Sequence, residues 1–446
     1  MPRSPVTAVA ARGLAPDDSA ATLGPGTLAA LLGRYPALGE PLSCRPLTEG
    51  LLNRGYRLTT TRGRYFLKHH LDGDQAAIAR QHRATLRLAG LGVPVAPPVA
   101  AADGSTVTVV GGRCYALHPW IDGTHRDGGD LTGPQSRRLG RLLGVVHVCL
   151  DRVMRAEPTP HPATPAPPAA PAPAHPAAPA PETVPARAPE RAPSWAAPPP
   201  SRPEPSAPRL LPGPRSASPS PTPLPCDPAH AAHAAHVSPG PAPSPAPWMG
   251  APPGSPVAAD PAETFALIDD LLALARRRRP RDAFDELAEH RLIERRALIE
   301  RHAHRRPTPA TTPASGWVHG DFHPLNLLYR GTEPAAIVDW DRLGVQPRAE
   351  EAVRAAAIFF VRPGGTLALA KVRPYARGYR AATGASPQEL AAAVHRVWWE
   401  RLNDFWILRW RYQRGDHRAD PQFPAVAALA VWWTSRYEAV RAAFCE

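Results

Sequence analysis

Asp321, Asn326 and Asp339 are the residues of this chain whose types and spacing could do chemistry. They punctuate residues 319–341, which read HGDFHPLNLLYRGTEPAAIVDWD. An aspartate, an asparagine five positions on, and an aspartate beyond an apolar run form a phosphoryl-transfer arrangement. One carboxylate, Asp321, would orient an attacking hydroxyl and take its proton. Two oxygen ligands, Asn326 and Asp339, suit hard Mg²⁺ ions that bridge the phosphates of a nucleotide. The apolar pieces 327–329 and 335–338 flank 331–334, which predicts a hairpin with Asn326 at its start and Asp339 at its end. Such a hairpin brings the metal ligands together.

His319-Gly320-Asp321, Asn326 and Asp339-Trp340-Asp341 resemble the HGDxxxxN and DxD elements of the aminoglycoside phosphotransferase and choline kinase-like superfamily. The resemblance implies an α+β, protein kinase-like two-lobed fold, with a small, mainly antiparallel N-terminal β lobe and a larger helical C-terminal lobe. It also implies ATP (or GTP) and Mg²⁺ as cofactors and a small hydroxyl-bearing molecule as acceptor. Protein kinases carry HRD and DFG at these places. Gly320 stands where that arginine would be and Trp340 where the phenylalanine would be, and both departures point to the small-molecule branch. In the family His319 holds the catalytic loop by hydrogen bonds, and His323-Pro324 fit the variant HGDxHPxN.

Lys68 follows the apolar run Tyr65-Phe66-Leu67, and the only other lysine is Lys371. A lysine there can project into a cleft and meet the α/β-phosphates, and its place fits the family. Gly50 and Asn53 lie in the preceding turn, where glycine lets backbone amides approach phosphate; an ordinary hairpin turn is the alternative. The family pairs its lysine with a glutamate on the following helix. Aligned back from Gly92-Val93-Pro94, that position is Gln81, which can bond an ammonium but brings no charge. This departure motivates a rival reading, a pseudokinase-like binding scaffold that recruits partners through a proline-rich insertion. Residues 117–120 are the expected hinge beside adenine, and Pro119 there has no N–H.

These residues need elements to position them. Residues 47–58 and 64–69 read as two strands around a turn, 75–91 as a helix, and 106–110 and 114–117 as two more short strands. Residues 139–150, LGRLLGVVHVCL, form an amphipathic helix. More than half of the 60 prolines fall between Glu157 and Pro261. That segment has few bulky apolar residues, so burial cannot offset its ordering entropy, and alternating Pro and Ala favours extended conformations. Asp260, Pro261 and Glu263 then start a new helix as N-cap, first helical residue and capping-box acid. The expected organisation is a flexible segment 1–30, a nucleotide-binding lobe 31–117, a hinge and start of the second lobe 118–155, a disordered insertion 156–259 and the remaining lobe 260–446.

The 446 residues suffice for two lobes. Formal net charge is +13. Residues 276–279, all arginine, are the densest basic run and end a helical pattern, where cations complement the helix dipole. No nucleic-acid motif accompanies them, so no nucleic-acid partner is expected. Cysteines at 44, 114, 149, 226 and 445 are odd in number and form no CxxC pair, which argues against a disulfide framework or zinc site. Residues 1–21 lack a long apolar core, and no 18-residue uncharged apolar run exists. A cytoplasmic protein without a membrane partner is the simplest expectation, with the oligomeric state left open. The carboxy helices are rich in aromatics, and Trp398, Leu402, Phe405 and Trp406 follow helical spacing, which favours core packing over a cage for a quaternary ammonium. Glu400, Asp404, Asp416 and Asp420 could bind an amine, but arginines are at least as numerous there.

Overall fold

Strands gather in the N-terminal part of the chain and helices in the C-terminal part. A computed structural model describes residues 23–47, 53–71, 73–155 and 257–446. Helix α1 (Pro25–Leu32) begins on a proline and buries Leu31 and Leu32. It starts inside the segment expected to be flexible, because its apolar face packs on the first lobe's core. Five strands follow: β1 (Pro41–Leu47), β2 (Arg54–Thr60), β3 (Gly63–His70), β4 (Thr108–Val110) and β5 (Arg113–Pro119). They form one antiparallel sheet in the order β1-β2-β3-β5-β4. Residues 47–58 are therefore not one strand but the end of β1, a stretch outside the described residues, and β2. Pro41 and Pro46 disguised β1, which lies at the sheet edge where a missing N–H is tolerated. Tyr56, Leu58, Leu67, Tyr115 and Leu117 form this lobe's core with Tyr35.

Between β3 and β4 runs α2 (Gln75–Gly90), whose N-cap Asp74 accepts the Ala77 N–H. It buries Gln81 and His82 along with Ile78 and Leu88. The second lobe is built from α3 (Gly133–Arg155), α4 (Pro261–Arg277), α5 (Ala283–His302), α6 (Arg348–Phe359), α7 (Leu369–Thr383) and α8 (Pro387–Asn403), followed by α9 (Trp406–Arg409), α10 (Phe423–Ser435) and α11 (Tyr437–Cys445). Two antiparallel pairs are set among these helices. β6 (Ser315–Val318) pairs with β9 (Gly344–Pro347), and β7 (Leu327–Arg330) pairs with β8 (Glu333–Ile337). The expected hairpin is this β7–β8 pair, turned tightly at Gly331, whose φ is 59°.

Helices α3 and α7 touch backbone to backbone. A Cβ on Gly140 would lie 2.0 Å from the Tyr375 carbonyl oxygen, and one on Gly378 2.0 Å from that of Arg137. The body of the second lobe resumes before Asp260: Trp399 donates to the Ala259 carbonyl and Arg306 to that of Ala258. The described residues resume at Val257, inside the end of the expected insertion, whose residues 156–256 lie outside the described ones. The described residues on either side of it belong to one compact unit. Asp260 caps α4 as expected, and a reciprocal capping box joins Asp282 and Asp285 at the start of α5. Trp398, Trp399 and Trp433 are fully buried. The Arg305 guanidinium lies 4.6 Å from the Trp398 ring and 4.3 Å from the Tyr437 ring, so this aromatic cluster already holds one of the chain's own cations. Among the described residues, no helix is long and apolar enough to cross a membrane.

Candidate active site

β6 ends in the loop His319-Gly320-Asp321. The buried His319 donates through Nε2 to the Val338 carbonyl (3.0 Å) and accepts the Asp321 N–H at Nδ1 (3.2 Å). Burial holds its pKa below the ordinary value, in keeping with this neutral tautomer. Gly320 has φ 85°, and a Cβ there would meet the Arg342 carbonyl oxygen at 2.2 Å. Only glycine fits. The loop is gripped from behind as well. Gly320 N–H donates to Glu351 of α6. Glu351 pairs with His147 Nε2 of α3 (2.6 Å), and His147 Nδ1 meets the Tyr379 hydroxyl of α7 (3.0 Å). Sequence reading passed over these three residues. The available signal was a lone histidine in the apolar stripe of α3.

The loop presents Asp321. Burial pushes its carboxyl up, but His323, Arg342 and His319 together hold it below the ordinary carboxylate value. His323 Nε2 is 3.6 Å and Arg342 Nε 3.9 Å from Asp321 Oδ2. Five residues on, the buried Asn326 spends its Nδ2 on the Asp321 carbonyl (2.9 Å). This leaves its Oδ1 as the atom suited to a cation. The hairpin then returns the chain to Asp339, the one non-glycine residue at positive φ (58°) among those described. Such a backbone is strained, tolerated best by Asp and Asn, and clusters at functional sites.

The sheet contributes Lys68 from β3. Its Nζ lies 2.8 Å from Asp339 Oδ1 and 2.6 Å from Asp341 Oδ1. Burial alone would lower the lysine's pKa, yet the two carboxylates raise it above the ordinary value. One ammonium is shared by two acids. Burial pushes both carboxyls up, but Lys68 keeps Asp339 below the ordinary value, while Asp341 stays above it beside the ionised Asp339. Asp341 lies in the turn that follows the hairpin.

The remaining expected residues sit around Asp341. Asn53 donates its Nδ2 to Asp341 Oδ2 and accepts the Leu71 N–H at 3.0 Å. Gln81 does not bond the Lys68 ammonium; its Nε2 donates to the Asp341 main-chain carbonyl (3.0 Å). Gly50 lies outside the described residues. Pro119 closes β5 opposite Tyr65. Lys68, Asn53 and Gln81 thus meet at Asp341, Asp339 shares Lys68 with it, and Asp321 and Asn326 are bonded to each other in the loop before the hairpin.

The acids of the carboxy helices are committed elsewhere. Glu400 pairs with Arg354 (2.8 Å), Asp404 with Arg401 (3.6 Å), Asp416 with Arg418 (2.7 Å) and Asp420 with Arg411.

Among solved structures, the chain is similar to an aminoglycoside phosphotransferase from Alicyclobacillus acidocaldarius subsp. acidocaldarius, at 12% identity, covering 98% of this chain and 96% of that one with a TM-score of 0.46. It is also similar to a spectinomycin phosphotransferase in complex with ADP and its antibiotic (12% identity, 91% and 97% covered, TM-score 0.47). A third is a microcompartment-associated aminopropanol kinase (14% identity, 94% and 99% covered, TM-score 0.46). No curated protein matches. The description "Phosphotransferase enzyme family" matches residues 43–211 and 233–385, which span the lysine strand, the HGD loop and the hairpin alike. The chain belongs to that phosphotransferase family.

Proposed function

We propose that this protein transfers the γ-phosphoryl group of ATP or GTP to a hydroxyl of a small molecule. The carrying observation is the convergence of Lys68 from the sheet with Asp339 at the end of the hairpin, beside the loop that presents Asp321. Asp321 accepts the proton of the acceptor hydroxyl as its oxygen bonds to the γ-phosphorus. The bond from that phosphorus to the bridging oxygen breaks, and the nucleoside diphosphate leaves with the electron pair. Lys68 fixes the phosphates. With little covalent work for the protein to do, catalysis is mostly positioning and charge neutralisation.

The donor set suits Mg²⁺. Asn326 and Asp339 offer hard oxygens, and no group of three or more His, Cys, Asp or Glu among the described residues forms a closed cage. Mg²⁺ is commonly held by one or two protein ligands plus substrate phosphates. Bound there, it would neutralise charge on the phosphates. The pairing of the four carboxy-helix acids with arginines favours a neutral acceptor over a polycation, since a polycation would have to displace those partners. The charge that Lys68 finds in Asp339 and Asp341 speaks against the scaffold reading, which rested on Gln81.

The test is nucleotide turnover with Mg²⁺ against a panel of small hydroxyl compounds. Asp321→Asn should lower kcat by roughly 10²- to 10⁴-fold with nucleotide affinity retained. Asp339→Ala should abolish Mg²⁺-dependent nucleotide binding in calorimetric titration. Unchanged binding in that variant would remove Asp339 from the metal site.

A further inference from the structure

Lys68 needs an anionic partner to stay extended toward a nucleotide, and α2 has none to offer. The expected position is Gln81, whose amide donates to the Asp341 carbonyl. Asp341 itself has little left to give a metal. Its Oδ1 is 2.6 Å from Lys68 Nζ, its Oδ2 accepts from Asn53, and its carbonyl accepts from Gln81. Its side chain is 20% exposed, whereas that of Asp339 is 45% exposed. The two acids of the Asp-Trp-Asp triplet thus differ in kind: one is open to the cleft, the other is locked to three elements.

We infer that Asp341 is the positioning carboxylate for Lys68, standing in for the acid that α2 lacks, and is not a second metal ligand. The inference rests on the phosphotransferase reading above. Asn53 and Gln81 then act through Asp341. They hold its carboxylate and its main chain against the lysine, so that a Mg²⁺-nucleotide draws Asp339 away without releasing Lys68. The lysine keeps one partner when the other turns to the metal.

Exchanging the two positions tests this. Mg²⁺-nucleotide affinity, the Mg²⁺ midpoint at fixed nucleotide, thermal unfolding and turnover would be measured for wild type, Asp341→Asn, Gln81→Glu and the double variant. Asp341→Asn should weaken nucleotide affinity by about tenfold or more while leaving the Mg²⁺ midpoint in place. Gln81→Glu alone should weaken it severalfold, because the new carboxylate faces the Asp341 carbonyl that the amide used to bond. Together they should recover most of the loss, since the carboxylate introduced on α2 supplies the charge removed from the turn. Three results would overturn the inference: a shifted Mg²⁺ midpoint in Asp341→Asn, no recovery in the double variant, or tighter binding in Gln81→Glu alone. The last holds even if Asp341→Asn fails to fold. A folded wild type that binds no Mg²⁺-nucleotide would instead bring down the phosphotransferase reading, and this inference with it.

Discussion

Glu351 shows how far a single residue's influence can reach. It is buried, it accepts the Gly320 N–H, and it pairs with His147. Burial pushes its carboxyl up, but the bond from His147 and the nearby His319 and Gly320 groups hold it below the ordinary value. An ionised acid there holds the loop that carries Asp321 through the Gly320 N–H, away from Asp321 itself. Glu351→Gln keeps the shape and removes the charge. Replacing a buried acceptor that serves two donors costs roughly 1–3 kcal/mol, so the variant should melt below wild type. In whatever fraction stays folded, kcat should fall while nucleotide affinity, which we propose rests on Lys68 and Asp339, changes little. A variant with normal kcat would show that the loop holds itself.

At the scale of elements, β3, β5 and α2 enclose three imidazoles behind Lys68. The His70 and His82 rings lie 6.3 Å apart and those of His82 and His118 5.6 Å apart. Burial first, and neighbouring positive groups second, push His70 and His82 down to about 3; burial pushes His118 to about 4, with its bond to Ala96 opposing. The folded lobe thus keeps them neutral where the unfolded chain, near 6.5, takes up protons. The stability they protect is complete above about pH 6.5 and is lost as pH falls toward the folded values, at about 1.4 kcal/mol per pH unit for each. Denaturant unfolding should therefore show stability falling from about pH 7 to about pH 5. His82→Gln should make that fall shallower, and an equal slope in the variant would exclude His82 as a contributor. A composition-level reading has no access to this cluster, because only the pairing of β3 with β5 and the packing of α2 bring 70, 82 and 118 together.

For the whole molecule, the site is assembled from pieces on both sides of residues 156–256. Lys68 and His147 come from before it, and Asp321, Asn326, Asp339 and Glu351 from after it. We expect residues 1–155 and 257–446, produced together as two chains, to associate and to bind Mg²⁺-nucleotide, because α3 packs along α7 and β3 meets the hairpin end. Failure to co-purify through a tag on one piece would show that the intervening residues are needed for assembly. What could be read from sequence follows the same geography. The loop and hairpin were legible because Asp321, Asn326 and Asp339 lie within one short run whose order dictates their approach. Lys68 was legible by its rarity. The Asp341–Lys68, Gln81–Asp341 and Glu351–His147 contacts were not, since each joins residues more than 200 positions apart. Strand β1 was hidden by prolines that only an edge strand accepts.

The bare backbone contact between α3 and α7 reverses a common engineering rule. Replacing a helical glycine by alanine usually strengthens a helix by up to about 1 kcal/mol. At Gly140 and Gly378 the added methyl would wedge two helices apart and carry His147 and Tyr379 off their shared contact, so the change that helps a helix would loosen the support behind the Gly320 loop. Gly90, at the end of α2 with nothing within 4 Å of where a methyl would go, is where that rule still holds. Thermostabilising this protein is therefore a matter of knowing which glycines are hinges between neighbours and which are merely loose ends.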